Sequence, residues 1–390
     1  MVRKPNIKGH FNGKKNILIL TPSPHNSGGV ANYYSILQNK FPFDYAFFIV
    51  GKREGDAQKN TKTRHLVRLI SDYCAFIRTL WRSDLDLVLI NPSLNFNGFS
   101  RDYIFYLIAK LLRNKTIVFF RGWDDNYAKE VFTGKFRYFF CPLRKTDGFI
   151  VLAKCFKDTI TSRLNTSRVF VESTIFDERI LPQGYDALYN LKNPNEKIRM
   201  LFLSRIETDK GIYESIAAYK ALRAKDVNVE LVIAGDGSEA SNIQRMIAEH
   251  DDEDLRYLGR ISGAEKADAL LSSSVLLFPS MHAEGMPNTV LEAMGCGLAV
   301  LTTRVGGIND FFVGDLMGAE LAGDLTQGIV GAVSALASDN ARLKSISEYN
   351  YSFAKQYFHS ERVVERLDRI IDSVIYNSHC GSFWYESEAR

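Results

Sequence analysis

Three short stretches carry residues whose types and spacing suit the binding of a polar, partly anionic ligand. In "SRIETDKG", Arg205 and Lys210 stand five positions apart around a polar turn that leads into the helical pattern "IYESIAAYKAL". Two cations where a helix begins oppose its macrodipole, which argues for an anion between them; two solvated surface charges are the plain alternative. In "TPSPHNSGGVANYY", Gly28 and Gly29 open a helix. A glycine pair there lets a phosphate approach free backbone N–H groups, although glycine before a helix is also ordinary turn chemistry. In "EGMPNTVLEAMGCG", Glu284 and Glu292 are eight positions apart, one in a loop and one inside a largely hydrophobic helix.

The elements that must position these residues alternate throughout, as in an α/β protein with parallel sheets. In the first half the β-rich runs are 16–20, 45–50, 85–90, 115–120, 147–152 and 168–173. In the second half they are 199–205, 228–235, 255–260, 274–280 and 298–303, each followed by a turn and a helix. Ligands of open α/β sheets bind at the carboxyl ends of strands, where all three stretches fall. "SVLLFPS" ends at about Ser280, Pro287 and Asn288 suit a first helical turn, and Gly295 and Gly297 end a helix of about two turns. Glu292 then shares a side with Asn288, four positions earlier, and Glu284 lies in the loop above the sheet.

The chain's 390 residues exceed the size at which a single core usually keeps growing, so two domains are expected. Periodicity is lost over 182–197, "PQGYDALYNLKNPNEK", which places the boundary near 190. The expected organisation is a first Rossmann-like domain over 1–190, a second over 191–358, and a C-terminal amphipathic helix and tail over 359–390. That helix is expected to cross back to the first domain.

Charge divides unevenly. Residues 1–190 hold 29 Lys and Arg against 16 Asp and Glu, and the remainder 20 against 29. A basic first half suggests an anionic partner, a membrane surface before a nucleic acid, since no nucleic-acid reading motif is recognisable. The basic aromatic stretch 68–83 is a candidate docking helix, or an ordinary half-buried one. No uncharged run approaches the ~18 residues needed to span a bilayer, so the expected location is cytoplasmic, peripheral at most on the inner face of a membrane. The cysteines at 74, 141, 155, 296 and 380 form no pattern and read as free thiols, with Cys296 a small buried residue.

Together these features make the chain similar to retaining glycosyltransferases of the GT-B fold, family 4, most specifically over 199–310. The resemblance implies two Rossmann-like domains facing each other across a cleft. It further implies that Arg205 and Lys210 grip the diphosphate of a nucleotide-sugar, that Glu292 accepts from the ribose hydroxyls, and that Glu284 holds a hydroxyl of the donor sugar. The backbone from Gly285 through Met286 and Pro287 to Asn288 would support sugar and diphosphate, and Gly28 and Gly29 would close on the diphosphate from the other domain. No cofactor or metal is expected, the co-substrate being a UDP- or GDP-sugar, and the acceptor a glycan or lipid-linked glycan, as in bacterial surface polysaccharide assembly.

One departure stands out. Relatives commonly carry a histidine after the strand at 115–120, where this chain reads "FFRGWDDN". Arg121 is then a candidate for sugar or phosphate contacts and Asp124 for an acceptor contact. Trp123 is either a sugar-stacking platform or a buried structural side chain, and His25 and His282 read as spectators. "GDG" at 235–237 lacks a full dinucleotide fingerprint and reads as a tight turn. A nucleotide-sugar epimerase and a non-catalytic binding module of the same fold are the alternatives.

Overall fold

The computed structural model describes residues 7–8, 15–23, 28–51, 62–181, 184–190, 192, 197–249, 252–281 and 285–378. The chain divides into two compact units, one of residues up to Ser173 together with those from Ser360 onward, the other Thr174–His359.

Every strand run expected from the sequence is a strand. In the first unit a seven-stranded sheet runs, edge to edge, Ile7–Lys8, Asp44–Ile49, Asn16–Thr21, Leu87–Ile90, Thr116–Phe119, Gly148–Val151 and Val169–Val171. Only the first of these pairs antiparallel. Its central strands are buried on both faces, which is why they read as unbroken apolar runs rather than as an alternation.

The second unit holds a six-stranded parallel sheet in the order Leu255–Tyr257, Val229–Ala234, Ile198–Leu203, Val275–Phe278, Ala299–Thr302 and Gly318–Glu320. Gly318–Glu320 was not among the expected strands, because its three residues carry no β-branched side chain.

In both sheets the parallel strands begin at an inner strand, move one way, then return past their start. The reversal falls between Asn16–Thr21 and Leu87–Ile90 in the first unit, and between Ile198–Leu203 and Val275–Phe278 in the second. Loops leaving these strands at their carboxyl ends diverge at the reversal and leave a crevice.

The change of unit falls at Ser173 and Thr174 rather than near 190. Ile175, Phe176 and Leu188 are buried, and the Phe176 ring lies so close to Gly295 that a Cβ there would meet it at 2.8 Å. The polar stretch thus falls inside the second unit, where Tyr185–Asn190 form a short helix.

The helix Ser360–Ile375 packs as part of the first unit, crossing back to it as expected. It buries Val363, Val364, Leu367, Ile370, Ile371 and Val374, each burial contributing on the order of 1.5–3 kcal/mol. Lys15 donates to Asp372 at 2.8 Å and also pairs with Asp368. Arg366 grips the buried Glu172 through two nitrogens, at 2.7 and 3.0 Å. No helix among the described residues is long and apolar enough to cross a membrane.

Candidate active site

In the second unit two loops flank the reversal point. After Ile198–Leu203 the chain passes Arg205 and Glu207 into the short turn Thr208–Lys210, and Gly211, at φ 76°, redirects it into the helix Ile212–Arg223. Glycine is required at 211 for two reasons. The backbone is left-handed, and a Cβ would lie 2.6 Å from both the ring and the carbonyl oxygen of Pro279. Pro279 begins the other loop, so this close approach fixes one loop against the other. Met281 N–H adds a hydrogen bond to the Asp209 carbonyl at 2.8 Å.

Lys210 is 2 % exposed, whereas the Arg205 side chain is 59 % exposed and its guanidinium donates to Glu207 Oε1 at 2.9 Å. The sequence treated these cations alike. The fold buries one beneath the turn and leaves the other on the rim.

Glu284 and His282 lie outside the described residues, as does His25. From Gly285 the second loop resumes, its carbonyl accepting from Gly307 N–H at 2.6 Å. Met286 and Pro287 are buried, and Asn288 begins the helix Asn288–Gly295. The Asn288 amide oxygen accepts a hydrogen bond from the Thr174 hydroxyl. No side chain caps this helix and no acid stands in its first turn, so its leading N–H groups keep their capacity for an external anion.

Glu292, on the same helix, is 3 % exposed. Lys266, from the helix Gly263–Leu271, donates to its Oε1 at 2.7 Å and lies 2.6 Å from its Oε2. Burial pushes the Glu292 carboxyl above the ordinary carboxylate range; the Lys266 charge opposes this and the nearby Asp177 adds to it. Burial also raises Asp177, but hydrogen bonds from Arg179 prevail and hold it below its usual range. A buried carboxylate kept by a single ammonium is an acceptor with little freedom, suited to neutral donors such as vicinal hydroxyls. Lys266 escaped sequence reasoning, because "GAEKADALL" reads as a solvated helix.

"GDG" is the tight turn expected. A Cβ at Gly235 or Gly237 would collide with the Ser204 or Ile206 backbone at 1.8 and 2.4 Å. Cys296 is buried, and that burial lifts its thiol to about 12, so it is no nucleophile. Cys74, Cys141 and Cys155 are exposed and in no disulfide among the described residues, and Cys380 lies outside the described residues.

In the first unit Gly28, at φ 136°, precedes the helix Gly29–Leu37, with no side-chain cap and open space around its Cα. The Arg121 guanidinium stacks over Tyr33 at 3.9 Å and Phe119 at 4.4 Å from the ring centroids. Its Nη1 is buried without a hydrogen-bond partner. Burial raises the Tyr33 hydroxyl to about 12, with Arg121 opposing.

Asp124 Oδ1 accepts from Tyr127 N–H at 2.9 Å and caps the helix Asp125–Phe132. Trp123 stacks on Phe156 at 4.3 Å and 9° and borders a cavity of about 480 Å³ along the helices Asp125–Phe132 and Lys154–Leu164. None of Gly28, Gly29, Lys210, Asn288 and Glu292 lines that cavity.

The fold places these loops at the strand ends where an open parallel sheet receives ligands, and comparison with known proteins gives the class. The description "glycosyl transferases group 1" matches residues 189–353. An uncharacterized glycosyltransferase of Methanocaldococcus jannaschii is 22 % identical over 309 residues, covering 76 % of this chain and 77 % of that protein. The lipopolysaccharide 1,2-N-acetylglucosaminetransferase of Salmonella typhimurium is 26 % identical over 209 residues, 48 % of this chain and 55 % of its own length. Among solved structures, Anabaena HepE in complex with UDP-glucose superposes with a TM-score of 0.69 at 14 % identity, over 92 % of this chain and all of that one. The chain is a glycosyltransferase, and its fold is GT-B.

Proposed function

We propose that the chain is a retaining, metal-independent glycosyltransferase of family 4 that moves a sugar from a UDP-sugar to a glycan or lipid-linked glycan in polysaccharide assembly. The observation that carries this reading is the convergence at one reversal point of Lys210, the uncapped helix at Asn288 and the buried Glu292. A sugar nucleotide leaves as a diphosphate, and Arg205, Lys210 and the helix N–H groups supply the charge stabilisation that the leaving group needs. Glu292 takes the ribose hydroxyls, Glu284 a hydroxyl of the sugar, and the Gly285–Asn288 backbone supports both. In front-face transfer the leaving phosphate takes the acceptor's proton, so no carboxylate serves as a dedicated base. Gly28 and Gly29 offer a second anion-receiving helix start, and Arg121 a cation for sugar or phosphate.

UDP is favoured because HepE, sharing the fold, was solved with UDP-glucose. A lipopolysaccharide transferase and a Staphylococcus aureus capsular polysaccharide glycosyltransferase among the relatives support the acceptor class. Peripheral work at an anionic membrane, on its inner face, follows from a lipid-linked acceptor and the basic first half. A thermal-shift panel of UDP, GDP, ADP and their sugars tests the donor, with UDP expected to raise the melting temperature. Protection by GDP or ADP alone overturns the donor assignment. Turnover abolished by EDTA, or a product of inverted anomeric configuration, overturns the mechanism.

A further inference from the structure

Among the described residues, nine of the fifteen exposed large apolar side chains fall between Leu66 and Phe139. They lie on one layer of the first unit. Every connection from Asp44–Ile49 through Leu87–Ile90 and Thr116–Phe119 to Gly148–Val151 advances in the same direction along the sheet, and right-handed crossovers place such connections on the same face. Side chains join the layer laterally. Tyr73 on the helix Lys62–Arg82 packs its ring on Phe105 and donates to the Arg101 carbonyl at 3.2 Å. Tyr103 on the helix Phe96–Leu111 donates to the Phe139 carbonyl at 2.9 Å.

The helix Lys62–Arg82 is apolar on two sides. Its inner side buries Phe76 and Leu80. On its outer side Val67, Ile70 and Trp81 are 68, 54 and 76 % exposed, and Val67, Ile70, Cys74, Arg78 and Trp81 follow one another at helical spacing. Arg78 and Arg82 are exposed beside Trp81. The turn before Phe140 repeats the chemistry: Tyr138 and Phe139 are 73 and 62 % exposed, with the Arg137 guanidinium over the Tyr138 ring at 4.4 Å. Residues 62–145 hold 15 Lys and Arg against 7 Asp and Glu.

We propose that this outer layer, the Val67–Ile70–Trp81 face together with Tyr138 and Phe139, docks on an anionic lipid surface. The partner is chosen by complementarity. Apolar side chains in a stripe enter the acyl boundary, an indole and a phenol sit at headgroup level, and flanking arginines meet lipid phosphates. A protein partner of matching shape would need no excess of one charge sign. The proposal gives the peripheral association of the previous reading a defined surface and rests on it for its biological setting.

The test is co-sedimentation of the full chain with vesicles of phosphatidylcholine alone and of phosphatidylcholine with phosphatidylglycerol. Wild type is expected to partition onto the anionic vesicles at low salt and to be released by high salt. The triple variant V67S/I70S/W81S is expected to lose at least about ten-fold of that partitioning, and R78E/R82E its preference for anionic lipid. Thermal stabilisation by UDP should be unchanged in both variants, which separates loss of docking from unfolding and from failure of the donor-site reading. Wild type that does not bind anionic vesicles, or a triple variant that binds as wild type does, overturns the proposal. A concentration-dependent dimer that the triple variant abolishes also overturns it, assigning the face to a second copy.

Discussion

Lys266 Nζ lies 2.6 Å and 2.7 Å from the two carboxylate oxygens of the buried Glu292, joining the helices Gly263–Leu271 and Asn288–Gly295. Burial pushes the carboxyl upward, and this ammonium opposes that push, favouring the ionised form that accepts from hydroxyls. Lys266→Met should therefore weaken UDP binding by about ten-fold and move the acid limb of binding to higher pH, whereas Lys266→Arg retains most of the affinity. Calorimetric titration between pH 5 and 8 decides it. An unchanged affinity and pH profile in Lys266→Met would show that Glu292 does not act as a carboxylate.

Lys210 is buried in the first of the two loops at the reversal point. Lys210→Met keeps the stem and removes the charge, so sugar transfer should fall by about two to three orders of magnitude. The melting temperature should stay within about 3 °C of wild type. Turnover at the wild-type rate would remove Lys210 from the diphosphate site.

Arg366 holds Glu172, which is 1 % exposed and also accepts from Ser173 N–H at 2.7 Å. Arg366→Met strands that carboxylate and should cost about 3–5 kcal/mol, while the double variant with Glu172→Gln recovers a large part. Chemical denaturation of the three variants measures the coupling. Purely additive effects would mean that the pair does not fasten the C-terminal helix.

Lys192 is buried, donates to the Ser273 carbonyl, and is held down at about 8 by burial, well below its ordinary 10.5. A depressed folded value means that stability from this group is complete above 10.5 and is lost as pH falls through 8. Lys192→Met should therefore stabilise the protein by about 2 kcal/mol near pH 7, after allowance for the lost hydrogen bond, with the gain fading as pH rises toward 10. A melting-temperature difference that does not change with pH would contradict a buried ammonium.

The apolar runs determined the strands, since a parallel strand buried on both faces has to be continuous in hydrophobicity, and the glycines determined the turns. Gly235 and Gly237 were legible as turn residues, but not as points where two loops touch. Arg205, Lys210 and Glu292 stood out as candidates because cations at a helix start and an acid in an apolar helix are locally unfavourable and point beyond themselves.

Local sequence could not supply what depends on distant partners. Strand order is set by which way each crossover turns, and so the reversal point that gives the loops meaning is a tertiary fact. Lys266 is 26 residues from Glu292, and nothing in its own helix distinguishes it from a solvated lysine. That Asp124 caps the helix Asp125–Phe132 depends on where that helix begins, which the sequence did not mark. The polarity drop near 190 was real, yet Phe176 had already found its neighbours around Gly295. Sequence determined which residues are able to act, because that is a property of side chains and local periodicity. Only packing decided which of them meet, because burial and ion pairing are set by groups that the chain brings together from far apart.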